Sequence, residues 1–123
     1  EVSAVRDADR IIGLAEAEEK GPPSLIINRL NYEMVRKGDM LSTEDIIDLL
    51  AVDLIGIVPE DERVIVSTNR GSPISLDGKS QAGEAFRNIA RRTLGEDVPF
   101  LDLNSRGGFF GKLGRLIRSG GGE

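Results

Sequence analysis

The sequence predicts an α/β fold in which short parallel strands lie buried beneath helices. Three observations carry that prediction. Two apolar runs, Leu25-Ile26-Ile27 and Leu54-Ile55-Gly56-Ile57-Val58, do not alternate with polar residues, so cover is expected on both faces of each. An amphipathic stretch separates them, which makes a strand–helix–strand unit. Helical patterns precede and follow the pair.

The elements follow in order. Val5, Ala8, Ile12 and Ala15 recur at helical spacing, while Arg6, Asp9, Arg10, Glu16, Glu18 and Glu19 are polar, so residues 2–19 read as a helix. Gly21-Pro22-Pro23 stops it. Residues 24–29 form the first strand, and 31–40 a connector with one helical turn. Ser42-Thr43-Glu44-Asp45 opens the next helix: a hydroxyl meets the orphan N–H groups and acids face the positive end of the dipole. Residues 53–58 are the second strand. Pro59-Glu60-Asp61-Glu62 reads as a helix start, with Pro fixing φ, and that helix runs to about Thr68. Residues 72–79 read as loop. Ser80 caps a last helix over 81–94, whose expected buried stripe is Ala82, Phe86, Ile89, Ala90, Thr93 and Leu94. Two strands cannot by themselves make a parallel sheet covered on both faces. The chain is therefore expected to be the C-terminal half of a larger α/β domain, the alternative being that oligomerisation supplies the missing edge.

Composition narrows the chemistry. The 123 residues contain neither Cys nor His, which excludes disulfides, thiol nucleophiles, zinc fingers and imidazole bases. The net charge of −5 argues against general nucleic-acid binding. No apolar run approaches the ~20 residues of a membrane span, and the N-terminus lacks the apolar core of a signal peptide. It also lacks Met, so the chain reads as processed or as part of something longer. Absence of Cys fits a cytosolic protein. Gly78-Lys79-Ser80 resembles the end of a phosphate loop, but Pro73 stands where the pattern needs its first Gly, so Ser80 is read as a cap. No spaced metal cage and no catalytic carboxylate pair is present.

Two regions invite function. Asn28-Arg29 and Pro59-Glu60-Asp61 sit at the C-terminal ends of the two strands, and open α/β sheets bind ligands beyond those ends. An Asn amide offers a purine edge both donor and acceptor. Asp7 and Asp9 on the first helix read as a solvated acidic face. The C-terminal segment differs in charge: residues 106–123 carry +3 and the rest −8. On a helix, Phe109, Phe110, Leu113, Leu116 and Ile117 fall within an arc of about 120°, with Lys112, Arg115 and Arg118 opposite. An aromatic start, an apolar face and a purely cationic face suit an interfacial helix on anionic lipid. A packed last helix and a helix in a protein groove are the competing readings. Gly111 and Gly114 each cost about 1 kcal/mol in a helix, so folding on contact is expected. The organisation expected is thus a folded part over 1–97, a linker over 98–107, the amphipathic helix over 108–119 and a disordered Gly-rich end over 120–123.

Five stretches taken together, Glu1 to Arg10, Leu25 to Arg29, Gly56 to Asp61, Ala82 to Phe86 and Gly107 to Leu113, strongly resemble the MinD family, membrane-associated ATPases that help place the bacterial division septum. The resemblance covers almost the whole chain but only the C-terminal half of the family's domain. It implies the doubly wound, mostly parallel sheet of a P-loop NTPase with a deviant Walker A loop. It implies ATP with Mg²⁺ as cofactor of the intact protein, ATP-dependent homodimerisation, and residence on the cytoplasmic face of the inner membrane. By resemblance, Asn28 contacts the base with Arg29 beside it in the nucleotide site, Pro59, Glu60 and Asp61 line the adenine, and Glu1 and Ser3 lie near the ATP-dependent dimer interface. Ser3, Asp7 and Asp9 match a surface for a MinC-like inhibitor and a MinE-like regulator. Phe109, Phe110, Lys112, Leu113, Leu116 and Ile117 match the membrane-targeting helix, with Arg115 and Arg118 on its cationic face. The phosphate loop, the Mg²⁺-binding residues and the switch Asp are absent from this sequence, so weak or no nucleotide binding and no hydrolysis are expected of it alone. The alternatives are a stand-alone, non-enzymatic membrane adaptor, or part of a related ParA-like or flagellar-number ATPase.

Overall fold

The computed structural model describes residues 1–101. Helix α1 (Val2–Ala17) leads into strand β1 (Ser24–Leu30), helix α2 (Tyr32–Lys37) and helix α3 (Thr43–Leu50). Strand β2 (Asp53–Pro59), helix α4 (Glu62–Asn69), a 3₁₀ turn (Ile74–Leu76) and helix α5 (Gln81–Thr93) follow. The strands pair in parallel, from Ser24 opposite Asp53 to Leu30 opposite Pro59. The α/β class with parallel strands is therefore as the sequence predicts.

Neighbouring strand residues point to opposite faces, and β2 uses both. Ile57 joins Ile27, Leu30, Ile46 and Leu50 in one core, against which Val5, Ala8 and Ile12 of α1 pack. Val58, only 1% exposed, joins Ala82, Ala85 and Ile89 of α5 in the other. Gly56 makes that second contact close: a Cβ there would lie 2.3 Å from the Ile89 side chain. β1 is covered on one face only. Ile26 stays 45% exposed, which corrects the expectation of burial on both faces, because no described element lies over it.

The caps follow the sequence. Ser42 Oγ accepts from Asp45 N–H while the Asp45 carboxylate accepts from Ser42 N–H, a reciprocal box. Those bonds hold the Asp45 carboxyl below its ordinary pKa. Ser80 Oγ accepts from Gly83 N–H at the start of α5. Three readings need correction. Pro59 ends β2 instead of starting a helix, since the ladder continues through it, and Asp61 caps α4. Residues 72–79 contain the 3₁₀ turn, pinned by Arg87, which donates to Ser75 O and Asp77 O. The buried stripe of α5 is Ala82, Ala85, Asn88 and Ile89, whereas Phe86, Ala90, Thr93 and Leu94 are exposed.

One turn beyond Ile89 the stripe ends in Arg92. Its guanidinium donates to Ile55 O, Val98 O and Pro99 O and lies 4.2 Å from the centre of the Phe100 ring. Val98 is buried, and Leu101 packs on the second core. The start of the segment read as a linker is thus fastened to the sheet. The rest of it, the expected helix over 108–119 and the Gly-rich end lie outside the described residues.

Candidate functional site

Because β1 and β2 run parallel and side by side, their carboxyl ends share one edge. Here the ladder is irregular. Arg29 adopts a left-handed conformation, φ 56°, and the register shifts between Ile27 and Leu30. Such a bulge re-aims side chains beside it; it also returns Leu30 to the core. Asn28 Oδ1 accepts from Arg29 N–H at 2.9 Å. The Asn28 amide keeps two donors and a second lone pair for a ligand.

The β2 side of the edge is tied to the β1 side. Glu60 N–H donates to Leu30 O at 2.9 Å. Asn31 Nδ2 donates to Glu60 Oε2 at 2.7 Å, while Asn31 Oδ1 accepts from Met34 N–H at 3.1 Å and caps α2. The Arg29 guanidinium lies 3.9 Å from Glu60 Oε1; both side chains are well exposed, and such a pair contributes little to stability. Asn28, Arg29, Pro59 and Glu60 are therefore brought together.

Asp61 serves a different purpose. Its Oδ1 accepts from Arg63 N–H at 2.9 Å, and its Oδ2 from Ser80 Oγ at 2.6 Å and Ala82 N–H at 3.3 Å. One carboxylate thus caps α4 and ties it to α5. Partial burial would raise its pKa, but the hydrogen bonds from Ser80, Arg63 and Ala82 and the Arg63 charge outweigh that and hold it below the ordinary value. Arg63 also bridges to Asp77 at 2.7 Å.

Glu1 stands at the cap position of α1 without a capping side-chain bond, and Ser3, Asp7 and Asp9 are exposed along the helix. Among the described residues, no hydrogen bond or ion pair joins these four to the strand-end edge. Phe109, Phe110, Lys112, Leu113, Arg115, Leu116, Ile117 and Arg118 lie outside the described residues. Sequence reasoning missed Asn31; a capping Asn six residues before Lys37 and a terminating Gly38 is the signal that marks it. Among the described residues no group of three or more acidic side chains could hold a metal ion, and no helix is long and apolar enough to cross a membrane.

The chain is 61% identical over 104 residues to the septum site-determining protein MinD of a Synechocystis species, and 50% identical over 107 residues to that of Bacillus subtilis. Those matches take in 84% and 86% of this chain. The fold agrees: superposition on the MinD cell division protein of Aquifex aeolicus gives a TM-score of 0.79 at 50% identity, over 82% of this chain. Over the matched stretch the chain belongs to the MinD family. It is similar as well to the MinD-containing MinC:MinD complex of Aquifex aeolicus, with a TM-score of 0.77 at 50% identity over 80% of this chain. No family model matches. The chain spans about two fifths of the MinD relatives it matches, 39% and 40% of the two sequences and 43% of the solved chain.

Proposed function

We propose that this chain supplies the base-side nucleotide contacts, the partner surface and the membrane helix of a MinD-type ATPase that helps place the division septum. The observation that carries the reading is the shared edge of Asn28, Arg29, Pro59 and Glu60 at the carboxyl ends of two parallel strands in a MinD fold. The Asn28 amide pairs with the purine edge, the Pro59–Glu60 backbone closes against the ring, and Asp61 fixes the loop by capping α4. The lysine-bearing phosphate loop and the Mg²⁺ ligands belong to parts of the intact protein that this sequence does not include, so the chain alone is not expected to hydrolyse ATP. Bound ATP favours a homodimer in which Glu1 and Ser3 lie near the interface. The exposed side of α1, with Ser3, Asp7 and Asp9, receives a MinC-like inhibitor and a MinE-like regulator. The dimer then sits on the cytoplasmic face of the inner membrane through paired helices over 108–119, joined to the folded part by the segment 98–107, whose first residues are packed on the sheet.

Asn28→Ala in the intact protein is expected to weaken ATP binding about tenfold, the loss of a hydrogen-bonded base edge worth ~1.4 kcal/mol. Calorimetric titration with ATP measures it, and an unchanged affinity removes the base-side reading. The membrane part has its own measurement. Deleting residues 106–123 should abolish sedimentation with anionic vesicles, and raising salt should weaken sedimentation of the undeleted protein, because three cations on the helix contribute. Sedimentation that survives the deletion overturns that assignment.

A further inference from the structure

The geometry points to Asn31 as a positioning residue for the base-side wall: through Glu60 it fixes the β2–α4 loop against the end of β1. This rests on the nucleotide reading above. Three observations carry it. The Asn31–Glu60 bond, 2.7 Å long, joins side chains 29 positions apart and bridges the two segments that form the wall. Asn31 is itself held, because its oxygen caps α2 through Met34 N–H, which presents Nδ2 to Glu60 in one orientation. The β1 side needs such a support: Arg29 is left-handed, a conformation disfavoured for a residue with a Cβ. The Arg29–Glu60 pair is too long and too exposed to fix it. A bifunctional Asn, acceptor toward its own helix and donor toward the opposite loop, does both tasks with one planar amide.

The dual role supplies a clean test. Asn31→Asp keeps an oxygen to cap α2, since Asp is as good a cap as Asn. It removes the donor and sets a second carboxylate against Glu60. Adding Glu60→Gln returns a donor, now on the opposite side of the pair. The probe is ATP, titrated calorimetrically into the intact protein that carries this sequence, with wild type, Asn31→Asp and Asn31→Asp/Glu60→Gln compared.

The expected result is about a tenfold weaker affinity for Asn31→Asp and a return to within about threefold of wild type in the double variant, with thermal melting unchanged within a few degrees throughout. Unchanged affinity in Asn31→Asp, with wild type binding normally, overturns the positioning role alone. So does a double variant that stays as weak as the single one, because a merely structural lesion is not repaired by reversing the donor. A wild-type protein that binds no ATP overturns the nucleotide reading and this role with it.

Discussion

Asp61→Ala should cost the folded part about 2–3 kcal/mol at neutral pH, because one carboxylate holds three donors. The Arg63 N–H loses its cap, and Ser80 Oγ and Ala82 N–H lose the acceptor that ties α5 to α4. Ser80 is buried, so its hydroxyl has no easy substitute in water. Asp61→Asn keeps a capping oxygen and should cost about half as much. The pH dependence gives the test its direction. The folded-state pKa of Asp61 lies below the ordinary value, so its stabilisation is fully present above the unfolded value of ~3.9. It is lost as pH falls through the folded value. Asp45 and Asp77 are shifted the same way. Asp45, being independent of Asp61, drops out of the difference; Asp77 shares Arg63 with Asp61 and is pushed up in part by the Asp61 charge, so it offsets part of the narrowing. Urea unfolding at pH 7 and at about pH 3 should therefore show a wide gap between wild type and Asp61→Ala that narrows in acid. A gap of constant width would mean that the carboxylate charge is not what Ser80 and the two backbone N–H groups hold.

Gly83→Ala should lower stability by about 2 kcal/mol even though alanine is the better helix former. A Cβ at Gly83 would lie 2.5 Å from Ile74 O and 3.0 Å from Asp77 O. Both are backbone atoms of the turn that Arg87 pins, so neither can swing aside as a side chain end could. Either α5 or the turn must shift, and Ala82 and Ala85 in the second core shift with it. Gly13→Ala in α1 is the matched control: nothing lies within 4 Å of its Cβ position, so the helix propensity gain of up to about 1 kcal/mol is kept. Thermal melts of the two variants should move in opposite directions. Equal upward shifts would show that α5 and the turn are not in the contact described.

The contrast between these glycines also shows which features can be read from sequence. Val5, Ala8, Ile12 and Ala15 were legible because α1 covers a single surface, so one stripe describes it. The caps at Ser42 and Ser80 were legible because they are completed within three residues. The same local logic failed at Pro59, where the pairing with Leu30 decides, and at α5, where Arg92 takes the place of the next apolar side chain to reach three carbonyls. In the candidate site, the nearness of Asn28, Arg29, Pro59 and Glu60 was legible from their places at the carboxyl ends of the strands. The left-handed Arg29 and the Asn31–Glu60 bond were not, because both arise only when two segments 29 positions apart meet.

That separation has an entropic cost. Ser24 and Asp53, the first partners of the ladder, are likewise 29 positions apart, and closing a loop of that length costs about 3 kcal/mol of chain entropy. Between the two described strands no ladder bond offsets that cost until β2 arrives, and β2 is also the strand on which both helix layers dock, one through Ile57 and the other through Val58. On their own α1 and α3 are marginal as isolated helices, so among the described elements the β1–β2 ladder and the layer that packs on it require Pro59 and its strand to be in place. The second layer waits for α5, more than twenty residues later. Among the described elements, the ladder and both helix layers thus depend on one seven-residue strand.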